Sequence, residues 1–178
     1  IEMRQLTFRG TIKSADNART IDQKIFSYES ADLTKAWKVK AFYLWPKTVR
    51  ANTGSTSGQF MLTASLATDI IGSVGFDDIA SVDDNRQIAW IQKGYNVRSS
   101  GPVSDFLAAP TGLESNFGLV DPDHLINRNL YINLTTISDS TVAPIRSYNY
   151  LVVLEPRKIS ENEAILQLVK GVAQDITN

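Results

Sequence analysis

KAWKVKAFYLWP, residues 35–46, has a period of two. Trp37, Val39, Ala41, Tyr43 and Trp45 share one side of an extended chain. Lys38 and Lys40 begin the other side, which turns apolar at Phe42 and Leu44. Successive side chains of a strand point to opposite faces, so the stretch predicts a strand that is half-exposed at its start and buried between two layers at its end. Pro46 closes it, because proline cannot donate to the ladder.

The same alternation recurs along the chain. Strands are expected over Arg4–Lys13, with Gly10 as a bulge, and over Ile21–Tyr28, Phe60–Thr68, Arg86–Lys93 with an extension through Tyr95 and Val97, Asn129–Ile137 and Ser147–Glu155. Loops rich in Gly, Ser, Thr, Asn and Pro separate them: Thr48–Gln59, Gly72–Asn85 with a short helical turn near Asp77–Ser81, Ser99–Asn116, and Ser138–Pro144. Short strands joined by loops longer than a hairpin needs predict Greek-key crossovers. The expected fold is all-β: an antiparallel sandwich, jelly-roll-like, of about eight strands.

The end of the chain differs. Ser160 with Glu163 forms a capping box, and Ile165, Leu168, Val169, Val172 and Ile176 follow helical spacing on one face. This predicts a β-body over residues 1–156 and a terminal helix over 157–178. The apolar stripe has to be covered by the chain's own sandwich or by a neighbouring subunit, and the stripe residues are therefore the candidate assembly interface.

Composition narrows the chemistry. Eighteen basic residues against nineteen acidic give a formal charge of −1, so no global field attracts nucleic acid or an anionic membrane. With no cysteine there is no disulfide, no thiolate metal site and no thiol nucleophile. No apolar run approaches the roughly 20 residues of a membrane-spanning helix. The first residue is Ile rather than Met, which predicts an upstream segment, and any direct contact with nucleic acid is expected to come through it.

Candidate sites are few. Asp121, Asp123 and His124 could ligate a divalent ion, or Asp121 could simply cap the turn before Pro122. Asp77, Asp78, Asp83 and Asp84 could bind calcium but lack the order of an EF-hand loop, and solvated loop acids are the ordinary account of them. Trp37, Trp45, Trp90, Tyr43, Tyr95, Tyr148 and Tyr150 could form a stacking platform, although alternating aromatics are ordinarily core. Asn133 opens an Asn-Leu-Thr glycosylation triplet, but inside a strand. Arg4, Arg9, Lys13, Lys38 and Lys40 could gather on one sheet face and meet nucleic acid or an acidic neighbour. A serine triad would rest on His124 alone, and no Gly-x-Ser-x-Gly elbow or phosphate-binding glycine loop accompanies it. The chain therefore reads as non-enzymatic and without a cofactor.

The strand Lys35–Trp45 ending at Pro46, the segment Asp83-Asp84-Asn85-Arg86-Gln87-Ile88-Ala89-Trp90 and the closing strand Tyr148–Leu154 together resemble a small single jelly-roll coat protein of a non-enveloped virus. The terminal helix departs from that pattern, since many such proteins end in a strand or an arm. The resemblance implies a virion subunit whose partners are copies of itself and other virion proteins. A carbohydrate-binding sandwich, using at least two coplanar exposed residues among Trp37, Trp45, Trp90 and Tyr95, is the alternative, and that role implies an extracellular place. A cupin-like enzyme would need more histidines.

Overall fold

The computed structural model describes residues 4–28, 32–47, 58–99, 105–110, 119–139 and 145–172. Nine strands and a helix follow in chain order: β1 Leu6–Ala15, β2 Arg19–Ser27, β3 Lys35–Pro46, β4 Gly58–Ala67, β5 Gln87–Ser99, β6 Asp105–Pro110, β7 Leu119–Val120, β8 Asn129–Ser138, β9 Ile145–Lys158 and α1 Glu161–Val172. They form two antiparallel sheets. One has the order β1-β9-β3; the other has the order β2-β8-β4-β5-β6, with β7 also on β5. The first strand pairs with the last and the second with the last but one, the nested pairing of a jelly roll.

The core lies between the sheets. Leu62, Ala64, Leu66, Ile91, Leu130, Ile132 and Leu134 of the larger sheet meet Val39, Phe42, Leu44, Tyr148, Val152 and Leu154 of the smaller.

Strand β3 departs from its expected phase. Val39 pairs with Leu154 and Ala41 with Val153, so Lys40 is one residue too many for its partner strand. Such a bulge swaps the two faces of everything that follows. Trp37 and Val39 face the core before it, and Phe42 and Leu44 after it. Tyr43 and Trp45 are therefore turned outward, 54% and 43% exposed, rather than buried beside Trp37.

Gly10 is not a bulge. The β1–β9 register runs unbroken from Leu6–Leu154 to Ala15–Ile145. The glycine makes room for a ring: a Cβ at this position would stand 2.6 Å from the Tyr150 hydroxyl and 2.8 Å from Cζ. Gly10→Val is expected to cost about 1–3 kcal/mol by overpacking. Urea unfolding should show a lower midpoint at unchanged slope.

The outer face of the larger sheet is roofed by residues 68–86, a series of turns, one of them over residues 77–80 where the sequence predicts a short helical turn. Asp22, in a left-handed conformation (φ 56°) at a register shift of β2, accepts from the amides of Ile71 at 2.8 Å and Gly72 at 3.2 Å. The Gln87 side chain accepts from Ser81 N and donates to Asp78 O, both at 2.8 Å, and Ser65 donates to Ile79 O. Ser65, Asn133 and Thr135 are consequently buried on a face that would otherwise be wet. Asn133 is fully enclosed and accepts from Asp22 N at 2.7 Å, so the folded chain offers no glycosylation acceptor there.

Strand β6 lies inside the segment read as a loop, residues 99–116, and pairs with β5 over Tyr95–Ser99. Residues 48–57 and 140–144, also read as loop, lie outside the described residues.

A polar clamp closes one end of the sandwich. Arg146 of β9 donates to both oxygens of Asp16, at 2.7 and 2.8 Å, and its guanidinium lies 4.1 Å from the centre of the Phe60 ring. Phe60 stacks on Tyr95 at 5.1 Å. Beside them the Tyr148 hydroxyl shares a 2.6 Å hydrogen bond with Thr136. Burial pushes the Tyr148 phenol far above its usual range, and burial raises Tyr95 as well. Below the ordinary tyrosine value of about 10 both folded and unfolded chains keep these protons, and the stabilisation is whole. Above it the unfolded chain ionises while the folded chain resists, so stability falls as pH rises. Denaturation series between pH 8 and 11 should show this loss, and Tyr148→Phe should make it shallower.

Candidate functional site

The terminal helix touches the body at a small contact. The Ser160 hydroxyl caps it by accepting from Glu163 N at 3.2 Å, the expected N-terminal bond of the capping box. Ala164 is buried in a cluster with Ala36 and Ile159, against which Leu125 packs, and Gln167 donates to Asp123 O at 3.3 Å. Ala164 and Gln167 face the body, whereas two residues of the predicted stripe, Ile165 and Val169, do not. Ile165 is 54% exposed, Val169 57%, and Leu166, which the stripe did not include, 67%. Leu168 and Val172 lie in the helix, whereas Ile176 is outside the described residues. The only small residue among positions 164–166, Ala164, lets the helix sit close to β3, and that approach leaves Ile165 and Val169 turned away.

The other candidates separate. Asp121 forms an Asx turn, accepting from Asp123 N at 2.9 Å. His124 points into the protein with Nδ1 3.9 Å from Asp121 Oδ2, and Asp123 stays at the surface. Asp84 is held bidentate by Arg86 at 2.9 and 2.8 Å, and Asp83 accepts from Ser81. Asp77 and Asp78 are exposed. Among the described residues no three His, Asp or Glu side chains are grouped to hold a metal ion, and no helix is long and apolar enough to cross a membrane.

The aromatic residues divide likewise. Trp37 packs edge-on against Phe26 and Tyr28, with ring centres 5.8 and 5.6 Å apart. Trp90 Nε1 donates to Ser81 O and the Gln87 side chain, and Tyr95 is buried. Of the four residues named for a carbohydrate platform only Trp45 is largely exposed, and its exposed neighbour is Tyr43. Between β3 and β5 a cleft of about 310 Å³ opens, lined by Lys40, Ala41, Phe42, Tyr43, Ile91, Lys93 and Val120.

The sheet order also brings the basic residues together. Strands β1 and β3 flank β9, so Arg9, Lys13, Lys38 and Lys40 belong to one outer face. Arg4 precedes β1. No protein-family model matches this chain, and neither does any curated protein sequence.

Proposed function

We propose that the chain is a structural subunit that self-assembles, a coat protein of a virion, and that its terminal helix bridges to a neighbouring copy. One observation carries this reading: three large apolar side chains, Ile165, Leu166 and Val169, stand exposed on a helix whose described contacts with its own body are made by Ala164 and Gln167. An exposed cluster of that kind on a folded chain marks a contact surface. The jelly roll supports it by analogy, since that fold is shared by coat proteins, lectins and cupins. Exposed polar residues Glu161, Asn162 and Glu163 stand at the N-terminal side of this apolar group, as polar residues do at the rim of an interface. Copies related by closed symmetry would each lend the helix to one neighbour and receive another. Light scattering of the purified chain tests this, with particles of many subunits expected.

A further inference from the structure

We propose that the outer face of the β1-β9-β3 sheet binds single-stranded nucleic acid. The sites are a property of the single subunit, so the proposal goes beyond self-assembly and stands without it.

Residues paired across strands point to the same side, and the register lays out this face row by row. Arg9, Leu151 and Tyr43 form one row; Thr11, Asn149 and Trp45 form the next, with Thr11 and Asn149 joined by a 3.3 Å hydrogen bond. Thr7, Val153 and Ala41 lie on the other side of the Arg9 row. Lys13 extends the β1 column, and Lys38, opposite Glu155, extends the β3 column beside the bulged Lys40. Arg157 completes the set on β9.

Five cations thus share the face with one carboxylate. Glu155 is the only acid in the three strands, and it is held by Lys40 at 3.3 Å and Arg157 at 2.9 Å. The opposite outer face of the sandwich carries the 68–86 roof, with Asp69, Asp77, Asp78 and Asp83 exposed. A chain of net charge −1 thus carries a basic sheet face that its composition conceals.

Charge alone would suit any polyanion. The aromatics narrow the partner. Tyr43 and Trp45 stand exposed in the β3 column beyond Lys38 and across β9 from Arg9, two residues apart on one strand face and so about 7 Å from each other. Rings at such a spacing can each take one base of an unpaired strand, while Arg9, Lys13 and Lys38 meet its phosphates. A duplex keeps its base faces stacked inside and could use the charges only. An acidic polypeptide would likewise leave both rings unused.

The test uses the full chain, taken as separated subunits from size exclusion so that assembly does not enter. Fluorescence anisotropy follows a labelled oligothymidylate and an oligouridylate of about 15 nucleotides across a salt series, with the matching duplex and polyglutamate as competitors. Binding is expected with a log–log salt slope of about −2 to −3, for three or four phosphates met, and with quenching of tryptophan emission. Arg9→Glu combined with Lys13→Glu should weaken it at least tenfold. Tyr43→Ala and Trp45→Ala should each weaken it about fivefold or more, while Trp45→Phe keeps most of the affinity. Circular dichroism melts confirm that each surface variant is folded. Unchanged affinity in folded variants, absent binding, or competition by duplex or polyglutamate as strong as that of the single strand would each overturn the proposal.

Discussion

Asp16→Ala is expected to lower the stability of the fold by about 3–5 kcal/mol, the usual cost of stripping one partner from a buried ion pair. Asp16 has no exposed side-chain surface, Arg146 is almost as enclosed, and the two bonds between them are short and parallel. The guanidinium also rests on Phe60, so a move towards water would give up that ring contact. The damage should spread, because the backbone beside Asp16 joins β1 to β8: Asp16 bridges Thr136, Asn17 N donates to Thr136 O at 2.6 Å, and Asn17 Oδ1 accepts from Ser138 N at 3.0 Å. For a chain of this size the melting temperature should fall by about 6–20 °C. Replacing both partners with apolar residues, Asp16→Leu with Arg146→Met, should recover most of the loss, because no charge is then left buried. A double-mutant cycle in urea measures the coupling. A loss below about 1 kcal/mol in the single variant would mean that the clamp is not what closes this end of the sandwich.

The second large effect concerns association rather than folding. Ile165→Asp together with Val169→Asp places two charges on the exposed helix face. Inside a neighbour's apolar contact each would be buried without a partner and cost several kcal/mol, enough to weaken association by orders of magnitude. On the isolated subunit the same positions are exposed, and melting should change little. The expected pair of results is loss of large particles by light scattering with an unchanged thermal transition. If both properties fell together, the helix would be holding its own body.

Much of the fold was legible because its signals are local. Alternation in residues 35–46 and 147–155 fixed two neighbouring strands, and Ser160 with Glu163 fixed the start of the helix to within a residue. The phase of β3 was not legible. A bulge adds one residue without changing composition, and the only trace of it is that both faces turn apolar after Lys40. The role of Gly10 depends on Tyr150, 140 positions away, and only pairing of the first strand with the last brings them together. Strand β6 was hidden because FLAAP, residues 106–110, is short and sits between breakers. The candidate sites followed the same rule. The Asx turn at Asp121 could be read from its own sequence. The basic face is assembled only by the order β1-β9-β3, and its exposed aromatics appear only once the bulge has turned Tyr43 and Trp45 outward. On the helix the stripe follows periodicity, but the contact with the body includes small Ala164, which permits close approach to Ala36 and Ile159, while Ile165 and Val169 stand exposed.

The most direct measurement is negative-stain microscopy of the purified full chain beside its light-scattering mass. Closed particles of uniform diameter, lost in the Ile165→Asp, Val169→Asp variant, are the expected result. A monodisperse, well-folded monomer at high concentration would contradict self-assembly as the function of this chain.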